Sequence, residues 1–112
     1  EYAEYFVLPQ TYYGAKPSWF AFPLTVLKNA PFSRDQFARV LIAKNIEIRP
    51  VFAGNITRQS AWKDTRRMIY GATVNADMVA SNGLFIPAWP MSSDALSFLI
   101  ESIHSAMKEL TK

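Results

Sequence analysis

The clearest periodic segment in the first half of the chain begins at Ser33. Ser33 and Gln36 have the spacing of a capping box, in which each side chain bonds the backbone N–H of the other at the start of a helix. Phe32 and Phe37 occupy the positions of a hydrophobic staple around the same turn. Asn45 tolerates a left-handed backbone, so we predict that it ends this helix.

A second amphipathic segment occupies the C-terminal end of the chain. Ser92 or Ser93 is predicted to cap this helix, with Asp94 favourably placed in its first turn. Apolar residues then recur with the helical period of 3.6. The residues of this stripe, which we expect to be buried, are Leu96, Leu99, Ile100, Ile103, Met107 and Leu110.

Three shorter segments have the composition of strands. Residues 18–26 are aromatic and β-branched, so we expect both faces to be covered, and Pro23 predicts an edge or a bulge there. Residues 46–49 alternate apolar and polar side chains and are ended by Pro50, and residues 84–86 form a third strand. A sheet with helices packed on it is therefore predicted, which is the α+β class.

The remaining segments carry weaker signals. Residues 1–16 are predicted to be an irregular lead-in, and residues 51–75 are irregular as well. Asn75 is a plausible N-cap for a short helix over residues 76–82, with Gly83 as its stop. No linker or repeat interrupts the chain, so we predict one domain over residues 1–112.

The composition supports a folded domain. Of 112 residues, 50% are hydrophobic and 19% are charged, which excludes an intrinsically disordered chain. The charged fraction is low enough that part of the apolar surface is expected to meet another domain or subunit. No apolar stretch approaches the roughly 20 residues that span a bilayer, and no leader pattern opens the chain. We therefore expect a cytoplasmic protein without membrane contact and, because it begins at Glu1, a fragment of a longer one.

The chain contains few residues that could act in catalysis or bind a metal. Without cysteine, the chain has no thiol nucleophile, zinc–thiolate site or iron–sulfur ligand, and no metal site is predicted. His104 borders the apolar stripe of the last helix, so a structural role is favoured. Asp64 and Asp77 have no spacing that indicates an acid/base pair. We predict no catalytic residue here: this is a module that assists a site.

Positive charge is concentrated in one segment, although the net charge is only +3. Between residues 48 and 71, Asp64 is the single acid, and the basic residues are Arg49, Arg58, Lys63, Arg66 and Arg67. One interpretation is a solvated basic loop. The other is a site for an anion such as a diphosphate, to which arginine donates bidentate hydrogen bonds.

The turn over residues 49–59 is the best candidate for such a site. Gly54 lets the backbone turn or approach a ligand closely, and Asn55 offers both a donor and an acceptor. Arg49 and Arg58 flank the turn with permanently charged guanidinium groups. The alternative is a surface turn that these same side chains merely stabilise.

Two segments of the chain are similar to those of a known protein family. Residues 18–24 (SWFAFPL) and, after a capped helix, residues 48–59 (IRPVFAGNITRQ) resemble the C-terminal domain of the DegT/DnrJ/EryC1/StrS family of sugar aminotransferases. Within this family the chain is most similar to the 3-dehydratases of CDP- or GDP-linked 4-keto-6-deoxyhexoses. The resemblance extends over about residues 17–110, and residues 49–59 are its most specific part.

The resemblance implies a fold and an activity. The fold would be that of the C-terminal domain of aspartate-aminotransferase-like enzymes, with a small, mainly antiparallel sheet of three or four strands covered by helices. The parent would be a homodimer that uses pyridoxal or pyridoxamine 5′-phosphate (PLP or PMP) in deoxysugar and lipopolysaccharide biosynthesis, with a separate reductase as a further partner. A large domain of the same chain would supply the cofactor site and the catalytic Lys or His, so the fragment alone would be inactive.

The resemblance also assigns residues. By analogy, this domain closes the active site and helps to bind the nucleotide-diphosphate sugar through Arg49, Asn55 and Arg58. Residues expected to support the loop are Phe52, Gly54 and Gln59.

Three alternatives stay open. The first is a PLP-dependent nucleotide-sugar aminotransferase, which differs from a dehydratase at a residue outside this chain. The second is an RNA-binding α+β module, because Phe20-Ala21-Phe22 is similar to an aromatic RNP1 strand, although the preceding basic–Gly pair is missing. The third is a noncatalytic module that binds another protein through its aromatic surface. We favour the enzyme domain and expect no nucleic-acid partner.

Overall fold

The fold is a four-stranded antiparallel sheet packed against helices, so the predicted α+β class is confirmed. The computed structural model describes residues 1–112. Its strands are β1 (Phe6–Val7), β2 (Phe22–Val26), β3 (Arg49–Pro50) and β4 (Gly83–Ile86). Its helices are α1 (Arg34–Ala43), α2 (Val74–Asn82) and α3 (Ser93–Leu110). The strand order is β1-β2-β4-β3, and each neighbouring pair is antiparallel.

Helix α1 begins and ends as its sequence predicts. The Ser33 backbone N–H donates to Gln36 Oε1 at 2.7 Å, and the Gln36 N–H donates to Ser33 Oγ at 3.2 Å, which completes the capping box. Asn45 has a φ of 61°, in the left-handed region. The N–H of Ile46 reaches back to the Leu41 carbonyl at 3.0 Å, the bond that characterises a Schellman motif.

One face of the sheet forms the hydrophobic core with α1 and α3. Partners directly across an antiparallel pair share a face, and the pairs Phe6–Val26 and Leu24–Leu84 are both buried. The complete core consists of Phe6, Leu24, Val26, Phe32, Phe37, Leu41, Ile46, Leu84, Ile86, Leu99, Ala106 and Met107. Helices α1 and α3 also contact each other, so the helices form a single layer over this face.

The opposite face of the sheet is more open. Arg49 pairs with Phe85, which pairs in turn with Pro23, so these three side chains lie in one row across β3, β4 and β2. Arg49 is exposed, and the other two are half-buried. None of the three helices combines the length and the apolar content needed to cross a bilayer.

Several strand bounds differ from those predicted. The lead-in is not wholly irregular, because Phe6–Val7 forms β1 against residues 25–26 of β2. Strand β2 begins at Phe22 rather than at residue 18, and Phe20 is 75% exposed instead of covered. Pro23 lies beyond the end of β1, so β2 has a free edge there, as a residue without an N–H requires.

The third strand is also displaced, since β3 comprises Arg49–Pro50 rather than residues 46–49. Ile46 is instead buried at the end of α1, where the Schellman bond holds it. Pro50 is tolerated because β3 is the outer strand of the sheet.

Two helices need correction as well. Helix α2 begins at Val74 after Thr73, two residues before the predicted start, and Asn75 lies inside it. In α3, which Ser92 caps, the predicted stripe is only partly buried, because Leu96 and Ile100 are 48% and 46% exposed. Both side chains line an open apolar groove rather than the closed core.

Helix α2 continues into β4 without a loop. Gly83 is both the C-cap of α2 and the first residue of β4. A Cβ at this position would lie 2.5 Å from the Val79 carbonyl oxygen. A glycine is therefore needed for the helix end and the strand to approach so closely.

Candidate functional site

The predicted turn leaves β3 and lies against α2. Gly54 has a φ of +60°, and a Cβ built on it would lie 2.5 Å from the Cβ and 2.7 Å from the Cα of Ala80. Both the backbone conformation and the available space therefore require glycine. The backbone at Gly54 approaches α2, and its predicted close approach to a ligand stays a prediction.

Asn55 anchors the turn from within. Its side chain is only 3% exposed and begins a 3₁₀ turn, Ile56–Arg58. Its Oδ1 accepts from the Thr57 N–H at 3.0 Å and from Thr57 Oγ1 at 2.7 Å, while its Nδ2 donates to Asp77 Oδ1 at 2.7 Å. The amide is thus bonded on both sides by the protein itself.

Arg58 forms a two-point ion pair with Asp77 of α2. Its Nε donates to Asp77 Oδ1 and its Nη2 to Oδ2, each at 3.1 Å. The Arg58 side chain nevertheless remains 70% exposed. The bonds from Arg58 and Asn55, opposed in part by desolvation, lower the pKa of Asp77 from 3.8 to about 2.

Phe52 and Gln59 stand at the two ends of the turn. Gln59 Nε2 donates to the Ala53 carbonyl at 2.7 Å, which closes the turn on itself. Phe52 has a φ of 41°, unusual for a bulky residue, and is 74% exposed. Its ring stacks on Phe20 at 6.1 Å and meets the edge of Phe85 at 5.3 Å. A loop-supporting role in the site stays a prediction for both residues.

Arg49 lies apart from the other two predicted residues. Its Nε donates to Glu47 Oε1 at 2.7 Å, and its side chain is 69% exposed. It lines a cavity of about 180 Å³ together with Phe20, Phe85 and Trp89. The structure therefore joins Asn55 and Arg58 through Asp77, whereas Arg49 shares no hydrogen-bond partner with them.

Sequence reasoning missed two members of this region. The sequence indicates no acid/base partner for Asp77 and no other role, yet this residue is the acceptor that joins Asn55 and Arg58. Arg67 is one of the basic residues of the segment, and its guanidinium donates to the carbonyls of Trp62, Lys63 and Thr57. The available signal is its position after two 3₁₀ turns, Ile56–Arg58 and Ser60–Trp62, since cations favour helix C-terminal carbonyls.

His104 has the structural surroundings that its sequence position favours. Its Nδ1 lies 2.9 Å from the Tyr2 hydroxyl, and the two rings meet edge to face at 5.6 Å. This contact fastens the lead-in to α3. It is far along the chain from the candidate turn and gives His104 a packing role.

The sheet with its layer of helices and the arginine-bearing turn define an α+β domain that exposes the Arg58 side chain to solvent. This chain belongs to the DegT/DnrJ/EryC1/StrS aminotransferase family, whose model matches residues 2–104. The resemblance seen in residues 18–24 and 48–59 is thereby confirmed.

Two bacterial proteins are similar in sequence to most of this chain. Over 98 residues, the chain is 34% identical to a dTDP-4-dehydro-2,6-dideoxy-D-glucose 3-dehydratase of Saccharopolyspora spinosa, which covers 87% of this chain and 21% of that protein. Over 102 residues it is 26% identical to the lipopolysaccharide biosynthesis protein RfbH of Salmonella typhimurium, covering 90% of this chain and 23% of that protein. The chain thus spans about a fifth of the length of these relatives.

Solved structures share the fold. A GDP-4-keto-6-deoxy-D-mannose-3-dehydratase of E. coli with bound hydrated PLP superposes with a TM-score of 0.76 at 25% identity, over 90% of this chain and 26% of that one. A mutant of GDP-4-keto-6-deoxymannose-3-dehydratase (ColD) with bound GDP-perosamine gives 0.75 at 26% identity, over 88% and 26% of the two chains.

The residues of this chain do not form a PLP site by themselves. No ionisable side chain is buried, as a carboxylate facing a ring nitrogen would be. The Asp77 carboxylate is bonded by Arg58 and Asn55, and Lys44 Nζ is bonded to Ser105 Oγ on α3. No chemical step through that cofactor is therefore assigned to these residues.

Proposed function

We propose that this chain is the C-terminal domain of a PLP- or PMP-dependent nucleotide-sugar 3-dehydratase of deoxysugar or lipopolysaccharide biosynthesis. The observation that carries this proposal is the 34% identity to a 3-dehydratase along 87% of the chain. The structural similarity to two further 3-dehydratases, one with PLP and one with a GDP-sugar, supports it. The cofactor and the catalytic Lys or His would belong to a preceding large domain.

Within that enzyme, the turn helps to bind the diphosphate of the nucleotide sugar. Arg58 and Arg49 are the direct contacts, because their guanidinium groups are about 70% exposed. Asn55 contributes from beneath, since its bonded and buried amide fixes the turn that presents Arg58. Phe52, Gly54 and Gln59 hold the same turn in shape.

The remaining partners follow from the same proposal. The exposed rings of Phe20 and Phe52 suit contact with the large domain of the same chain, because solvent-exposed aromatic groups are typical of interface cores. The active enzyme is a cytoplasmic homodimer that closes its site at the subunit boundary, and a separate reductase completes the deoxygenation.

A nucleotide-sugar aminotransferase is the second candidate, since the matching family model carries that description. The test is to incubate the full-length protein with PMP or with PLP and L-glutamate, together with a GDP-, CDP- or dTDP-linked 4-keto-6-deoxyhexose. Because loss of the C3 oxygen needs two electrons, an NADPH-driven flavin reductase is included as the electron source. Mass spectrometry should show loss of oxygen at C3 without a retained amino group. A stable 4-amino sugar would instead establish the aminotransferase.

The proposal also distinguishes this domain from an RNA-binding module. Phe20 lies outside β2, so residues 20–22 do not form the continuous aromatic strand of an RNP1 motif. Single-stranded RNA should therefore show no binding at two salt concentrations. Binding that falls steeply with salt would contradict the proposal.

The 112-residue chain alone should show neither dehydratase nor aminotransferase turnover.

A further inference from the structure

Asp77 is the point at which the turn and α2 are joined. Its Oδ1 accepts from Asn55 Nδ2 at 2.7 Å and from Arg58 Nε at 3.1 Å. Its Oδ2 accepts from Arg58 Nη2 at 3.1 Å and from Thr73 Oγ1 at 3.4 Å. The carboxylate thus receives hydrogen bonds from three residues, and its position is set by the helix that carries it.

The Asp77 bonds use only one edge of the Arg58 guanidinium. An arginine has five N–H donors, and Asp77 takes the Nε–H and one of the two on Nη2. Three donors remain, both on Nη1 and the second on Nη2. No other protein group bonds to them, and the side chain is 70% exposed, so this free edge matches two oxygens of a phosphate.

We propose that Asp77 is a positioning residue for the nucleotide-sugar site, an inference that rests on the proposed function. It holds the Arg58 guanidinium by its Nε–Nη2 edge, so that the free Nη1–Nη2 edge is fixed in direction before the diphosphate arrives. An unrestrained arginine would lose side-chain freedom on binding, and a held one loses less. Asn55 strengthens the arrangement by bonding the carboxylate that holds Arg58.

Simple electrostatics and the positioning role predict changes of opposite sign in diphosphate affinity when Asp77 is neutralised. A carboxylate beside an anion site repels the anion, so its neutralisation should tighten binding. If Asp77 acts by positioning Arg58, the same substitution should weaken binding. The sign of the change therefore separates the two explanations, and a purely structural role predicts neither change while the protein stays folded.

The test measures binding of GDP, CDP, dTDP and inorganic pyrophosphate to the full-length protein by isothermal titration calorimetry. Asp77→Asn should raise the Kd of the diphosphate that binds by about tenfold, the scale at which an outer partner affects a ligand-binding group. Arg58→Ala should have at least that effect. The double variant should be no weaker than Arg58→Ala, because the two residues act as one unit.

Two further variants control for charge and folding. Asp35→Asn makes the same change in the exposed Arg34–Asp35 pair, whose Nε–Oδ1 distance is 2.8 Å, and should leave the Kd unchanged. Asp77→Glu keeps the charge but displaces the guanidinium, so it should still weaken binding even if Asp77→Asn fails to fold. Thermal unfolding of each variant identifies those that remain native.

The possible failures are distinguishable. If Asp77→Asn and Asp77→Glu bind the diphosphate as tightly as the wild type or more tightly, the positioning role is overturned and the proposed function stands. An unchanged Kd in Arg58→Ala would also overturn it. If the wild-type protein binds none of the four probes, the proposed function fails and the positioning role fails with it.

Discussion

The helical layer and the basic turn are held together by different kinds of interaction. In the layer, Phe37, Leu41 and Met107 are completely buried among other apolar side chains. Between residues 51 and 73, in contrast, Asn55 is the one buried residue. That segment is ordered by a glycine, an amide and two arginines that bond within the chain.

This difference indicates that the helical layer determines stability and the basic turn determines the geometry of the site. Burial of apolar surface is the largest favourable term in folding, so the layer supplies most of the stability. The turn adds little burial, but its few polar bonds decide where the Arg58 guanidinium lies. Substitutions in the two regions should therefore separate a loss of folding from a loss of site shape.

The largest effect is expected in the layer. Phe37→Ala removes a ring with no exposed surface and should lower the free energy of unfolding by about 3–5 kcal/mol in urea denaturation. Ile42→Ala on the exposed side of the same helix is the control and should stay within about 0.5 kcal/mol. Equal losses would show that α1 is not packed as described.

The next effect tests how the turn lies on α2. Gly54→Ala should cost about 2–4 kcal/mol, because it combines a left-handed backbone with a clash against Ala80. Gly71→Ala has a similar φ of +74° but no atom within 4 Å of the new Cβ, so it should cost only about 1 kcal/mol. The same urea experiment measures both, and a Gly54→Ala loss no larger than that of Gly71→Ala would refute the close approach.

A smaller effect distinguishes two serines at the start of α3. The Ala95 N–H donates to Ser92 Oγ at 3.3 Å, so Ser92→Ala should cost about 1 kcal/mol. Ser93→Ala should be nearly neutral, because Ser93 is already the first helical residue. A larger loss of thermal stability in Ser93→Ala than in Ser92→Ala would show that the helix starts one residue later.

The smallest effect is expected at low pH and concerns the half-buried Asp77 carboxylate. Because folding lowers the pKa of this carboxyl from 3.8 to about 2, its stabilising contribution is complete above pH 3.8 and is lost as the pH falls toward 2. The melting temperature of the wild type should therefore approach that of Asp77→Asn between pH 5 and pH 2. A constant difference over that range would show that the ion pair does not titrate with folding.

Local chemistry could be predicted from the sequence, whereas contacts distant along the chain could not. The Ser33 capping box and the left-handed Asn45 follow from residues a few positions apart, and both are confirmed. Strand β1 has two residues, too few for a periodic pattern, and it exists only because β2 pairs with it. In the candidate site, the basic turn and its Gly54 were identified, but Asp77 lies 19 positions from Arg58 and no spacing rule connects them.

The junction at Gly83 makes the chain unequally tolerant of changes in length. Side chains alternate between the two sides of a strand, so one residue inserted between Asn82 and Gly83 would turn Leu84 and Ile86 outward and Phe85 inward. The helix immediately before it leaves no slack to absorb the insertion. Insertions and deletions should instead be accommodated in the exposed stretch over residues 60–72, where the backbone is not paired with the sheet.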